Sequence, residues 1–242
     1  YGSPDVATPV LDRIAREGAL APEAMVHVAL TRPSHVSLFT GLLPYQHGIR
    51  DNVSPALDPN IPTLAALLQQ KGFRTGAFVS SIVLSKQSGL DRGFLTYSDR
   101  FEAEGDDARF LNTLQKRGAL TLDEALPWLA AVPKETRVFL WLHLYDPHDP
   151  YEPPEPFASR FVEHPYEGEV AFADYCVGQV LDKLRQLGLY DETLIVVASD
   201  HGEMLGEHGE LNHGFFIYEG ALRVPLILRV PHLKTGARQI DP

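Results

Sequence analysis

The chain has 242 residues, 44% of them hydrophobic and 22% charged, with a formal net charge of −11. That length and composition suit one large globular domain with its own core, and the acidic balance argues against a protein that coats nucleic acid or an anionic membrane through bulk electrostatics. The single cysteine, Cys176, excludes an internal disulfide framework and a Cys-based zinc site.

In chain order, Thr8-Pro9 followed by "VLDRIAREG" reads as a helix capped at Thr8, opened by Pro9 and closed by Gly18. "SHVSLFTG" reads as a short helix begun by Pro33 and closed by Gly41, and "IPTLAALLQQKG" repeats the pattern from Pro62-Thr63 to Gly72. "RTGAFVS" is short and strand-like. Residues 84–120 carry mixed charge and weak periodicity and read as an irregular segment. "LTLDEALPWLAAV" reads as a helix interrupted at Pro127. "RVFLWLHLY" is an apolar run expected of a strand buried on both faces, and "DPHDPYEPPEPF" is a loop. Val170, Ala173, Val177, Val180, Leu181 and Leu184 mark one face of a long helix, and "TLIVVAS" and "VPLILRV" follow as two more buried strands. Alternating strands and helices predict an α/β fold with a mostly parallel sheet between helical layers. No run approaches the roughly 20 apolar residues that span a bilayer.

Ligands of such folds bind at the carboxyl ends of strands, and polar residues collect there. One strand runs into Asp146 and His148, one into Asp200-His201-Gly202-Glu203, one into Ser80 and Ser81; His35, His47, His208 and His213 flank these loops. Asp200 with His201 is a carboxylate–imidazole pair suited to a divalent cation, provided the strand turns at Gly202. Each motif also has a plain structural reading: "DHG" as a capped turn, "DPHDP" as a turn with a solvated His, and Thr31 in "LTRPSH" as a helix N-cap. Their coincidence at strand ends favours chemistry. Thr is a poor nucleophile unless a metal or base removes its proton. A helix start beside a cation would supply that activation and an anion-binding site together.

These residues resemble the sulfatase branch of the alkaline phosphatase superfamily over nearly the whole chain. Thr31-Arg32-Pro33-Ser34-His35 with "SLFTG" occupies the family's nucleophile motif, "LLPYQHG" resembles its Pro-x-x-His-Gly continuation, and "YDPHDPY" its loop with a substrate-contacting His. "SDHGEMLGEHG" followed by "ALRVPLILR" is the most specific match. The resemblance implies an alkaline-phosphatase-like three-layer sandwich and a divalent cation (Ca, Mn or Zn) held by Asp200, His201 and the Thr31 oxygen. It implies Thr31, His148 and His213 as catalytic residues, and His35, Asn52, Ser80 and Ser81 as substrate contacts. Asp146, His148 and His208 would make a second metal site only at a spacing unlike that of two-metal relatives, so one ion is expected. The expected substrate is a small-molecule, glycan or lipid ester, with no nucleic acid and no membrane segment in residues 1–242.

Four departures bear on the chemistry. Thr31 cannot be oxidised to the formylglycine that sulfatases use, which tilts the expectation toward phosphate or phosphonate esters. His35 replaces the motif's Arg. "FVSSIVL" lacks the family's Lys and His, leaving Ser80 or Ser81 as hydroxyl contacts, and His213 stands where Lys is usual. Finally, the family's first metal-binding strand would precede Tyr1-Gly2 and its small subdomain would follow Pro242, so residues 1–242 read as a catalytic domain truncated at both ends, weakly active or inactive alone. The alternatives are a phosphoryl transferase of the same superfamily and a catalytically inactive sulfatase-like binding domain. The compartment is not legible in the residues; relatives of this kind are often exported bacterial proteins.

Overall fold

In chain order the elements are helix α1 (Pro9–Glu17), strand β1 (Ala19–Met25), α2 (Thr31–Thr40), α3 (Pro44–His47), α4 (Leu64–Gln70), β2 (Arg74–Phe78) and β3 (Thr96–Ser98). They continue with α5 (Gly118–Ala130), β4 (Val138–Leu142), α6 (Phe157–Arg160), α7 (Pro165–Gln186), β5 (Ile195–Ala198), α8 (Glu219–Leu222), β6 (Arg223–Arg229) and β7 (Arg238–Gln239). This computed structural model describes residues 2–101, 116–233 and the backbone of 238–239; of the segment read as irregular, residues 102–115 lie outside the described residues. The chain gathers into two compact units, Leu30–Tyr145 and the pair Tyr1–Ala29 with Asp146–Pro242.

The first unit holds an all-parallel sheet of order β3-β2-β4. Its core is built by Val36 and Phe39 from α2 with Ile49, Leu57, Val79, Leu84 and Leu90, against which Phe94, Tyr97, Phe139 and Trp141 pack. Burying each such side chain stabilises the fold by about 1.5–3 kcal/mol. Strand β4, expected to be covered on both faces, is an edge strand among the described residues, and all five of its residues are only half-buried; β2 takes the central place. An apolar run reports that a strand is covered, not its rank in the sheet. Helix α5 runs through Pro127 instead of breaking there. The proline lies in the last turn, where a lost N–H costs one bond, and its own carbonyl still accepts from Ala131 at 3.0 Å. Helix α4 starts as read, with the Thr63 hydroxyl accepting the Ala66 N–H at 3.2 Å.

The second unit holds a mixed sheet of order β5-β6-β1-β7, in which β6 pairs antiparallel with both β5 and β1. Strand β1, "ALAPEAM", is absent from the sequence reading because Pro22 interrupts it; its register shifts between Ala21 and Ala24, the bulge by which a sheet tolerates a missing N–H. Strand β5, expected buried, is an edge strand among the described residues, with Val196 56% exposed. Thr8 stands at the cap position of α1, but its side chain makes no cap bond. Asp174 of α7 takes that role, its two oxygens accepting the Val10 and Leu11 N–H groups at 3.1 and 2.8 Å. No described helix is long and apolar enough to cross a membrane.

The Pro-x-x-His-Gly motif is a structural fastening. The buried His47 accepts the Ile49 N–H at Nδ1 (3.1 Å), so Nε2 carries the proton and donates to the Ser37 hydroxyl at 3.1 Å. Burial lowers the His47 pKa below its ordinary 6.5, so the fold favours the neutral ring. The stability it contributes is complete above about pH 6.5 and is lost as the pH falls from there toward the folded value. Urea midpoints measured between pH 7.5 and 5 are expected to decline less steeply in His47→Gln than in the unsubstituted protein.

Candidate functional site

Within Leu30–Tyr145 the polar residues are placed by α2 and the end of β2. Thr31 is the first helical residue, buried, and the cap position belongs to Leu30, whose side chain makes no cap bond. The helix thus begins two residues before Pro33, a position a proline tolerates because first-turn N–H groups have no partner within the helix. Asn52 supplies the missing acceptor from outside: its Oδ1 receives the Arg32 N–H at 2.9 Å. The buried Arg32 guanidinium donates to the carbonyls of Ser54, Pro55 and Ser88, fixing the loop that carries Asn52.

His35, one turn along, donates from Nδ1 to the Thr31 carbonyl at 2.7 Å, since a carbonyl only accepts. Its neutral ring therefore presents Nε2 as a lone pair. The ring meets His143 edge-on at 5.0 Å. His143 has the opposite tautomer: its Nδ1 accepts the Ser80 N–H at 3.3 Å, so Nε2 carries the proton. The sequence reading passed over His143, although a lone imidazole in the run "VFLWLHLY" is a signal in itself, because a polar group in a covered strand must have partners. Ser80 is fully buried, and its hydroxyl is engaged by the His143 carbonyl at 2.6 Å and the Thr121 hydroxyl at 2.7 Å. Ser81, also buried, opens a short 3-10 turn.

In the other unit, β5 ends at Asp200 and His201. The His201 Nδ1 donates to the Gly202 carbonyl at 3.0 Å, and its Nε2 stands 3.5 Å from the Asp200 Oδ2. Gly202 is needed here for close approach, not for an unusual turn. A Cβ at this position would lie 2.0 Å from the Gly220 carbonyl oxygen, and the Gly202 N–H donates to the Ala221 carbonyl at 2.8 Å.

Three imidazoles gather in this unit. His201 and His213 stack at 3.9 Å, and His148 meets His213 edge-on at 5.2 Å. His213 donates from Nδ1 to the buried Glu203 at 2.9 Å. Glu203, one of the polar residues at this strand end, carries no pattern in the sequence that would assign it a role among its acidic neighbours. Burial, and then the Glu203 charge, raise the Tyr151 hydroxyl well above its ordinary value and push Tyr166 up to about 12. His148 donates from Nδ1 to the Asp149 carbonyl at 2.7 Å. Burial lowers its pKa, with that hydrogen bond opposing, so the ring is held neutral with Nε2 as the acceptor. His208 is exposed and stacks on Tyr218 at 4.2 Å. The Cys176 thiol is fully buried and pushed up to about 12, far from the range of a thiolate nucleophile.

The Asp200–His201 pair fits a divalent cation. Two donors each about 2.1 Å from one tetrahedral ion stand about 3.4 Å apart, and the carboxylate oxygen and imidazole lone pair are separated by 3.5 Å. The backbone bond at Nδ1 fixes the ring as ligating histidines require. An N/O donor pair suits Zn or Mn better than Ca, which takes oxygen ligands.

Strands alternating with helices, in one parallel and one mixed sheet, make an α/β protein whose structural neighbours have the alkaline-phosphatase-like fold. The chain belongs to the sulfatase family, whose model, described as Sulfatase, matches residues 1–241. It is 23% identical to an N-acetylglucosamine-6-O-sulfatase of Bacteroides thetaiotaomicron, over 98% of this chain and 61% of that protein. It is 25% identical to human arylsulfatase A, over 98% of this chain and 57% of that protein. The chain thus spans less than two thirds of these relatives' length. Among solved structures it resembles a phosphonate monoester hydrolase of Agrobacterium radiobacter, with a TM-score of 0.85 and 21% identity over 99% of this chain and 66% of that one. A phosphonate monoester hydrolase from Silicibacter pomeroyi gives a TM-score of 0.77 at 20% identity, over 98% of this chain and 65% of that one.

Because Asn52 closes the start of α2, Asn52→Ala is expected to cost about 1 kcal/mol of stability, as the loss of a helix cap does. Asn52→Asp, which keeps the acceptor, should retain most of it. Urea midpoints of the two variants read this directly.

Proposed function

We propose that the protein carrying this chain is a metal-dependent hydrolase of phosphate, phosphonate or sulfate monoesters that uses Thr31 as nucleophile. The observation that carries the reading is the Asp200–His201 pair, with its two donor atoms at the spacing of ligands on one ion. The family membership and the phosphonate and sulfate ester hydrolases among the relatives support it, and the lack of an oxidisable Cys or Ser at position 31 favours phosphorus over sulfur.

Asp200 and His201, with the Thr31 oxygen as the third ligand the reading assigns, would hold a divalent cation, which would supply charge stabilisation for the reacting oxygens. The Thr31 hydroxyl gives its proton to solvent as its oxygen bonds to phosphorus and the bond to the leaving oxygen breaks. The positive end of the α2 dipole suits the developing negative charge. Asn52, its Oδ1 committed to Arg32, turns its amide NH2 to a substrate oxygen, and His35 contacts substrate beside it. His213, oriented by Glu203, delivers a proton to the departing alkoxide. Water then attacks phosphorus, His148 accepting its proton at Nε2, and the bond from phosphorus to the Thr31 oxygen breaks, that oxygen taking a proton from solvent as phosphate leaves.

The test uses the full-length protein with matched aryl phosphate, phosphonate and sulfate monoesters under Zn or Mn. Thr31→Ala is expected to lower kcat by at least about a thousandfold, as loss of a nucleophile does, with phosphorus esters turned over faster than sulfate. Asp200→Asn is expected to lose bound metal on dialysis. An unchanged rate in Thr31→Ala overturns the nucleophile assignment, and a sulfate preference abolished by Thr31→Ala makes the enzyme a sulfatase that works without formylglycine.

A further inference from the structure

We propose that Glu169 is a positioning residue that clamps the His148 loop in its working shape; this rests on the reading of His148 as a group that meets substrate or water. Glu169 lies in the second turn of α7, with only 4% of its surface exposed. Its Oε2 accepts the His148 N–H at 2.9 Å and its Oε1 the Glu152 N–H at 2.8 Å. One buried carboxylate therefore ties both ends of the turn "HDPYE" to the helix.

The composition of the loop explains why an external acceptor is required. Residues 146–156 contain five prolines, which have no N–H to give, so the loop cannot organise itself through a ladder of its own backbone bonds. Glu169 gathers two of the donors that remain. The neighbouring residue gives independent evidence that helix and loop are built to meet. A Cβ on Gly168 would lie 2.7 Å from the Pro153 Cγ and 3.2 Å from the Phe161 Cβ, so the helix offers bare backbone where the loop crosses it. A buried carboxylate is costly unless hydrogen-bonded, and an apolar residue would fill the same space without that cost. What the carboxylate adds is fixed backbone geometry at residues 148 and 152.

That geometry passes to the imidazole. The His148 ring is steered by its own loop through the bond from Nδ1 to the Asp149 carbonyl, and its edge rests against His213. Releasing the two N–H groups frees the backbone that aims Nε2. Glu169 thus acts through His148 and not on substrate.

The test combines amide exchange with a double-substitution cycle in the full-length metal-loaded protein. Glu169→Ala is expected to speed hydrogen exchange in peptides covering residues 147–152 while the β6 peptides keep their protection. It should lower kcat on an aryl phosphate by roughly 10–100-fold, the usual effect of losing a group that orients a reacting one. Glu169→Gln, which keeps one acceptor oxygen, should fall between it and the unsubstituted enzyme in both readouts. Combined with His148→Ala, neither substitution should slow the enzyme beyond His148→Ala alone. Multiplicative losses, unchanged exchange in the loop, or loss of protection throughout the chain in both Glu169 variants would each overturn the proposal. A silent His148→Ala would instead overturn the assignment of His148, the separate reading on which it stands.

Discussion

Backbone N–H groups that no neighbouring turn can satisfy must find acceptors elsewhere, and this requirement organises the chain. Helix α1 begins at a Thr whose side chain makes no cap bond, and Asp174 accepts two of its N–H groups from 164 and 163 residues away. Helix α2 begins at Thr31 after Leu30, whose side chain has no acceptor to offer, and Asn52 reaches its second N–H. The proline-rich loop after Tyr145 depends on Glu169 in the same way. The second and third of these segments carry Thr31 and His148, to which the proposed function assigns chemistry.

The histidines follow a related rule. His35, His148 and His201 each donate from Nδ1 to a backbone carbonyl of their own or a nearby residue. The main chain thus fixes which way each ring faces, so that Nδ1 is occupied and Nε2 points away from that carbonyl. His143 and His47 accept backbone N–H groups at Nδ1 and are donors at the far nitrogen. His213 is oriented by a carboxylate. Imidazole chemistry in an acidic protein is in this way set locally, by which backbone group lies within reach of Nδ1.

The strands that mattered were legible where apolar runs ended in polar residues, as with β2, β4, β5 and β6, and the alternation of elements was sufficient for the α/β class. Pro22 concealed β1, because a bulge in a paired strand looks like a turn in one dimension. Rank within a sheet was not legible either: β4 and β5 are as apolar as central strands, yet each is an edge among the described residues. Asp200, His201, His148 and His213 stood out as rare residue types in a fixed order. Glu203 and Glu169 did not, since 32 acidic residues hide two buried ones. A carboxylate whose partners are backbone N–H groups in another segment leaves no pattern that spacing can reveal. Ser80 shows the converse: it lay where a hydroxyl was expected, and the fold engages that hydroxyl with Thr121 and the His143 carbonyl.

The external cap on α2 separates two duties that usually fall on one residue. In many helices the polar side chain at the start both closes the helix and faces what binds there, so replacing it disturbs both. Here the cap position is Leu30, Asn52 takes the Arg32 N–H and Arg32 anchors the Asn52 loop. Residue 31 is thereby relieved of closing the helix. Under the proposed reading, exchange among Thr, Ser and Cys at that site would change the reactivity of the side chain without removing the acceptor on which the helix start relies, so chemistry there could change without unsettling the scaffold.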